Sequence, residues 1–196
     1  MKKYIASFSG GKDSTAQIIL AHEHKEPLDL IIFVEVMFDK EISGELPEHI
    51  QFIKEKCIPQ FEEWGYKTEI IRGKKTYMDC FNKIVKRSKV EERNGKKTGF
   101  PMAGKCTINR DCKINPINSF IKQYKNDDIV QYIGIAADEP RRLRKMEGTN
   151  RISLLEKYGC TEQDAFEICG KYGLLSPTYE FTKRGGVLVL PECEVF

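Results

Sequence analysis

A glycine-rich segment near the start of the chain carries the residue types that bind phosphate groups. Residues 9–15 read Ser-Gly-Gly-Lys-Asp-Ser-Thr, directly after an apolar block and directly before a segment of helical periodicity. Glycines allow consecutive backbone N–H groups to converge on an anion, and a following helix adds unpaired N–H donors and the positive end of its dipole. The hydroxyl groups and the Lys12 ammonium supply further donors. The spacing therefore predicts a binding site for a phosphate chain.

The same segment differs from two other nucleotide-binding patterns. The four-residue gap that precedes Gly-Lys-Ser/Thr in a Walker P-loop is missing, and the glycines do not follow the Gly-x-Gly-x-x-Gly spacing of dinucleotide-binding folds. The alternative is that the segment is only a glycine turn between a strand and a helix and binds no ligand. The serines, the lysine and the position before a helix together favour the anion site.

Alternating strand-like and helix-like segments must hold this loop in place. Short blocks rich in β-branched residues predict buried strands at residues 4–8, 28–36, 68–71 and 129–136. Helical periodicity predicts helices at 14–24, 47–64, 77–87, 108–124, 140–146, 153–158 and 161–172. This alternation is typical of an α/β fold: a doubly wound, mainly parallel sheet with helices on both faces, plus a small helical C-terminal portion.

Length and composition indicate one folded domain with an appended portion. The chain has 196 residues, of which 40% are hydrophobic and 31% charged, the balance of a globular protein with a core. We assign residues 1–150 to the domain that holds the loop and residues 151–196 to a helical extension packed on it. The sequence offers no apolar run of about 20 residues and no signal-peptide apolar region, so we expect a cytoplasmic protein without a membrane span.

Positive charge is concentrated in one stretch of the chain. The net charge is only +3, yet residues 83–113 contain ten Lys or Arg against three acidic residues. Residues 88–105 within it contain several glycines and little periodicity, which predicts a flexible basic flap. The flap would receive an anionic acceptor, with nucleic acid as one candidate. A solvated surface loop is the alternative, because most charge runs are only exposed surface.

The cysteines and histidines show no recognisable metal-binding spacing. The seven cysteines are odd in number and scattered, which indicates reduced thiols rather than a disulfide framework. We expect His22, His24 and His49 to be structural residues on helical or loop surfaces. An iron–sulfur or zinc site is not favoured, although thiolates distant in the sequence can converge, so the metal ligands stay unassigned.

Four elements of the sequence resemble a known family. The Ser-Gly-Gly-Lys-Asp-Ser loop resembles the pyrophosphate-binding loop of the PP-loop ATP pyrophosphatase superfamily, which has the adenine nucleotide alpha hydrolase-like fold. Three further elements resemble its phosphoadenosine phosphosulfate (PAPS) reductase-like family. They are Phe38-Asp39 with Gly44-Glu45-Leu46-Pro47-Glu48, Cys106-Thr107 with Lys113 and Pro116, and the Gly-Ile…Asp-Glu…Arg-Arg element from Gly134 to Arg142.

The resemblance implies an enzyme that binds ATP or a related adenine nucleotide with Mg²⁺. It implies cleavage of ATP between the α and β phosphates, transfer of the adenylyl group to an acceptor and release of pyrophosphate. The implied catalytic residues are Lys12, Asp13, Ser14 and, on a two-residue match, Cys193. The implied nucleotide-binding residues are Ser7, Ser9, Gly10, Gly11, Lys12, Asp13, Ser14, Thr15, Asp39 and Gly134. The implied substrate-binding residues are Cys106, Lys113, Asp138, Glu139, Arg141 and Arg142, and Asp39 or Asp138 would help to hold Mg²⁺.

The chain also departs from this family, which leaves two alternatives open. The segment around Cys193 lacks the glycine and histidine of the reductase tail, and Val187 and Leu190 stand where many relatives carry cysteines. The first alternative is a sulfonucleotide (PAPS or APS) reductase or sulfur-transfer enzyme with Cys193 or Cys106 as nucleophile. The second is a non-catalytic nucleotide sensor or nucleic-acid-binding partner. A homodimer and a complex with a partner protein are both compatible with these functions.

Overall fold

The computed structural model describes residues 2–100, 106–124 and 126–182. They divide into two units. The first unit contains the described residues up to 33, residues 46–70 and those from 123 onward, and the second contains residues 34–45 and the described part of 71–122. Predicted features at residues 101–105 and 183–196, including Lys105, Val187, Leu190 and Cys193, lie outside the described residues.

Five strands form one sheet in the order β3-β2-β1-β4-β5. Strand β1 pairs in parallel with both β2 and β4, and β4 pairs in parallel with β5. The chain thus adds β2 and β3 on one side of β1 and then β4 and β5 on the other, so the direction of winding reverses between β1 and β4. This topology confirms the predicted doubly wound α/β fold. The strands are β1 (Lys2–Phe8), β2 (Leu30–Glu35), β3 (Thr68–Arg72), β4 (Asp128–Ile133) and β5 (Arg151–Ile152).

Helices follow the strands in the predicted order, with shorter bounds. The predicted helix over 47–64 is interrupted by a π-helical turn at Ile53–Cys57, and a second π-helical turn at Asn109–Ile114 precedes Pro116. Short 3₁₀ turns occupy Glu91–Arg93, Lys122–Tyr124 and Pro177–Glu180. The α-helices are α1 (Lys12–Glu23), α2 (Pro47–Phe52), α3 (Ile58–Glu63), α4 (Tyr77–Asn82), α5 (Asn115–Ile121), α6 (Pro140–Leu143), α7 (Leu154–Lys157) and α8 (Glu162–Lys171).

Two helix ends show how local sequence sets the bounds. Helix α8 begins with a capping box, in which Thr161 and Asp164 exchange side-chain-to-backbone hydrogen bonds, and Gly173 follows it at a φ of +65°. The predicted helix over 77–87 was too long. Helix α4 ends at Asn82 because Ile84 and Val85, whose β-branched side chains favour extended backbone, pair with Lys97 and Lys96. Residues 83–99 therefore form an irregular hairpin.

The core of the first unit covers one face of the sheet. The Phe8 ring on β1 meets Phe61 of α3 edge to face at 5.2 Å and lies beside Phe33 of β2. On the other face, Ile5 and Ile32 are also fully buried. Burial of both faces is the usual condition of a parallel sheet. No helix in the described part of the chain has the length and apolar character needed to span a membrane.

Glu45 is a carboxyl buried in the second unit, with only 3% of its surface exposed. Burial raises its pKa to about 7, Lys113 and the Val36 amide oppose this rise, and the charge of Glu35 adds to it. Glu35 itself is paired, because its carboxylate accepts two hydrogen bonds from the Arg72 guanidinium, at 2.8 and 3.0 Å. Glu45 therefore carries an electrostatic cost at neutral pH.

We predict that Glu45→Gln stabilises the protein at high pH. The folded-state pKa lies above the ordinary 4.5, so the folded protein holds the proton more tightly, and stability falls as pH rises through about 7. The variant should gain on the order of 3 kcal/mol at most at pH 8, and less than about 1 kcal/mol near pH 5. Urea unfolding at both pH values measures this gain, with the exposed Glu41→Gln as control. An identical gain at both pH values would contradict the assignment.

Candidate functional site

The glycine-rich loop lies where the winding of the sheet reverses. It follows β1, and residues 134–139 follow β4, the parallel neighbour of β1, so both segments leave the same edge of the sheet. A Cβ atom at Gly134 would stand 2.6 Å from the carbonyl carbon of Asp13 and from the amide nitrogen of Ser14. Glycine at position 134 thus lets the segment after β4 touch the first turn of α1.

Hydroxyl groups fold the loop onto itself. Ser14 Oγ donates to the Gly11 carbonyl at 3.0 Å and accepts the Ser9 N–H at 3.1 Å. Because the Ser14 proton is used in this way, the Ser9 hydroxyl donates to Ser14 Oγ, at 3.0 Å. The N–H and hydroxyl of Thr15 also donate to the Gly11 carbonyl, at 3.0 Å each. The hydroxyl groups of Ser9, Ser14 and Thr15, which the sequence predicted as donors to a ligand, therefore form hydrogen bonds that stabilise the loop itself.

The N-cap residue of α1 is Gly11, which has no side chain to cap the helix. The Tyr179 hydroxyl accepts the Lys12 N–H at 3.0 Å, so one donor of the first turn is occupied. The terminus keeps the partial positive charge of the helix dipole, which favours an anion.

His49 contacts this loop from the protein interior. The expectation that His49 lies on a surface was wrong. The residue is fully buried on α2, its Nε2 is 3.0 Å from the Ser9 carbonyl, and its Nδ1 is 2.8 Å from Ser176 Oγ. Since a carbonyl oxygen only accepts, Nε2 carries the proton in the first bond. Gly10 has a φ of +74°, and a Cβ there would stand 2.6 Å from the His49 ring. His49 therefore fixes the position of the loop backbone.

The Lys12 ammonium is already paired with two carboxylates. Its Nζ is 2.8 Å from Asp13 Oδ1 and 3.1 Å from Glu162 Oε2 on α8. Burial lowers the pKa of Lys12, but the hydrogen bonds and charges of these two partners outweigh burial and raise it. Burial raises the pKa of Asp13, and the charges of Glu162 and Glu139 add to the rise against the effect of Lys12. A phosphate at the loop must compete with these carboxylates for the ammonium.

Hydrogen bonds of the residues from Asp138 to Arg142 fix the conformation of the segment after β4. Asp138 Oδ1 accepts the Glu162 N–H at 3.1 Å, and the Glu139 carboxylate accepts the Ala136 N–H at 3.2 Å. Arg142 donates to both Glu139 oxygens, at 2.6 and 2.7 Å, whereas Arg141 is exposed on α6. Anion binding by either arginine stays a prediction, and Arg141 is the more accessible of the two.

The remaining predicted residues are divided between the units. Ser7 lies in the first unit, in the middle of the sheet on β1 between Ile32 and Ile133. Asp39, Cys106 and Lys113 belong to the second unit. Asp39 accepts the N–H groups of Ile42 and Glu41, which lower its pKa, and Cys106 Sγ accepts the Asn109 N–H at 3.3 Å.

Most described cysteines lie in apolar cores as thiols. Burial raises the pKa of both Cys169 and Cys112 to about 12, so neither is a thiolate at neutral pH. Cys112 Sγ lies 3.6 Å from Cys80 Sγ in the second unit. Within residues 2–100, 106–124 and 126–182, no group of three His, Cys, Asp or Glu side chains is placed to hold a metal ion.

We predict that Gly134→Ala destabilises the fold, because the new methyl group would overlap backbone atoms of α1 that cannot move independently. The expected loss is about 1–3 kcal/mol. Gly170→Ala is the matched control, because a Cβ atom there meets nothing within 4 Å and alanine favours the helix by up to about 1 kcal/mol. Thermal unfolding of both variants tests this, and equal midpoints for the two would contradict the close approach at Gly134.

Comparison with known proteins finds a likeness to solved structures. No family model matches the chain, and no curated protein matches it either. A solved structure, the U34-tRNA thiolase NcsA from Methanococcus maripaludis with its 4Fe-4S cluster, is similar at a TM-score of 0.49 and 17% identity. The match covers 98% of this chain and 60% of that chain, so the chain spans less than two thirds of that protein's length. A likeness at this level carries no argument about function.

Proposed function

We propose that the chain is an adenine-nucleotide-binding enzyme of the PP-loop ATP pyrophosphatase superfamily, similar to its PAPS reductase-like family. One observation carries the proposal: the N-terminus of α1, which lies within the Ser-Gly-Gly-Lys-Asp-Ser segment and has glycine as its N-cap residue, stands at the reversal point of the sheet and is held by His49. In doubly wound sheets this is where ligands bind, and phosphate is the ligand that such a helix terminus favours.

The proposed reaction is attack by an acceptor on the α-phosphate of ATP, with pyrophosphate as leaving group. The N–H groups at the start of α1 and the Lys12 ammonium would stabilise the charge that develops on the leaving phosphates. Ser9 and Ser14 would act mainly by holding those N–H groups in position, since they bond to each other and Ser14 also bonds to Gly11. The acceptor is an anionic molecule that the basic residues of the second unit would attract.

The carboxylates around the loop suit an ATP complex that brings Mg²⁺ with it. Mg²⁺ usually binds one or two protein carboxylates together with phosphates and water. In the first unit Asp138 and Asp13 supply such oxygens. Burial, and to a smaller extent the charges of Glu162 and Glu139, raise the pKa of Asp13, and a cation would offset that rise. When bound, the ion would neutralise part of the phosphate charge. Asp39, in the second unit, is the other candidate ligand.

A sulfur-transfer reaction is the second candidate, and Cys106 favours it. Its thiol is half-buried, whereas Cys80 and Cys112 of the same unit are buried, so Cys106 is the more accessible nucleophile of the three. In such a reaction the thiol would attack the sulfur of a sulfonucleotide, and the nucleotide phosphate would leave.

We predict that the protein, incubated with ATP and Mg²⁺, forms AMP or an AMP adduct together with pyrophosphate. Ion-exchange separation of the products tests this, and ADP with orthophosphate would overturn the proposal. Lys12→Met should reduce turnover strongly, whereas Lys171→Met, at an exposed position on α8, should not. ATP binding without any turnover would favour the nucleotide sensor instead.

We also predict that Glu162→Gln tightens ATP binding. The substitution removes a carboxylate that competes with phosphate for Lys12, and it keeps the backbone bond to Asp138. Exposed ion pairs are worth at most about 1 kcal/mol, so affinity should rise by about two- to fivefold. Calorimetry measures it, with Glu167→Gln on the same helix as control, because Glu167 pairs with Gln163. Weaker or unchanged binding would show that Lys12 does not reach the phosphates.

A further inference from the structure

Four aromatic rings of the second unit form a continuous ladder. Phe38 stacks on Tyr77 with ring centroids 5.5 Å apart and planes inclined by 18°, and Tyr77 continues to Phe81 at 6.3 Å and 20°. Phe81 meets Phe100 edge to face at 5.1 Å. Both ends of the ladder are open to solvent, since Phe38 is 40% and Phe100 is 63% exposed. Two large apolar rings thus remain accessible after folding.

The hairpin formed by residues 83–99 ties this ladder to a run of positive charge. It contains Lys83, Lys86, Arg87, Lys89, Arg93, Lys96 and Lys97, all exposed, against only two acidic residues, Glu91 and Glu92. The Gly99 N–H donates to the Phe81 carbonyl at 3.0 Å, which fixes the end of the hairpin beside the ladder. Lys97 Nζ donates to the Asn82 side chain at 2.9 Å. Rings and cations are therefore parts of one connected surface.

We propose that this aromatic-basic surface, made of the four rings and the basic residues of the hairpin, binds single-stranded nucleic acid. Bases would stack on the accessible rings of Phe38 and Phe100, and the sugar-phosphate chain would follow the lysines and arginines. Aromatic stacking platforms beside basic residues bind single strands in this way, because every base has a face that can stack. A duplex hides those faces. The proposal rests on the second unit alone and does not require nucleotide chemistry at residues 9–15.

The charge pattern distinguishes this partner from a protein. Protein interfaces are depleted in lysine at their centre, whereas nucleic acid attracts it through every phosphate. The two glutamates leave the hairpin clearly positive. An apolar protein surface would leave these cations without partners.

Fluorescence anisotropy of the full-length protein with short labelled RNA and DNA strands, and with the corresponding duplexes, tests the proposal. We expect single strands of either sugar to bind more tightly than duplexes, and the RNA and DNA arms show which sugar is preferred. Phe100→Ala should weaken single-strand binding about tenfold, and Phe100→Trp should retain it, because stacking needs only a ring. The matched control is Phe181→Ala, since Phe181 is 61% exposed but belongs to the first unit.

The salt dependence separates stacking from charge. Replacing Lys86 and Lys89 by Ala should lower the slope of log affinity against log salt by about 0.7 for each lost phosphate contact. Phe100→Ala should leave that slope unchanged, and Lys171→Ala serves as the charge control. Normal ATP turnover in Phe100→Ala would separate this surface from the proposed enzymatic site.

Three results would overturn the proposal. The first is equal affinity for single strands and duplexes, with no loss in Phe100→Ala, which would reduce the surface to general phosphate attraction. The second is the absence of binding to any strand tested. The third is a wild-type dimer that Phe100→Ala dissociates in analytical ultracentrifugation, without an effect on strand binding, which would assign the rings to self-association.

Discussion

The candidate site depends on two glycines, Gly10 and Gly134, at which the backbone packs directly against neighbouring groups. The space beside Gly10 is filled by the His49 ring, and the space beside Gly134 is filled by the peptide between Asp13 and Ser14. These two contacts hold the loop and the first turn of α1 in position. Donors fixed in this way need no reorganisation when charge develops on a ligand, which is how a rigid polar site lowers a reaction barrier.

The charges around Lys12 in the first unit set a second condition for ligand binding. Lys12 is surrounded by Asp13 and Glu162, with Glu139 close enough to raise the pKa of Asp13. The negative charges of Asp13, Glu162 and Glu139 would repel an approaching phosphate chain. The outer partner, Glu162, is half exposed, so its ion pair is screened and weak. A polyphosphate offers several charges at once and can displace that single carboxylate, whereas a singly charged anion has little advantage over it. We therefore expect the proposed site to favour phosphate chains over simple anions.

The strands and the glycine-rich loop could be predicted from the sequence, because each is determined by residues that are close neighbours in the chain. The strand blocks, the Ser-Gly-Gly-Lys-Asp-Ser segment and the α8 capping box all depend on contacts over a few positions. The partners of the loop could not be predicted in this way. His49 contacts Ser9 across 40 residues, Glu162 reaches Lys12 across 150, and Tyr179 reaches it across 167. No spacing rule links such residues, and only the folded chain brings them together.

The residues that the family resemblance selects are distributed over both units, and each unit positions its own share. The loop and the Asp138 segment are held by contacts within the first unit. Cys106 and Lys113 flank a buried group of the second unit that includes Cys112 and Ile108, next to the ion pairs of Asp111 with Lys75 and Arg110. The hydrogen bonds that fix the glycine-rich loop therefore lie within the first unit and do not involve the side chains of Cys106 or Lys113.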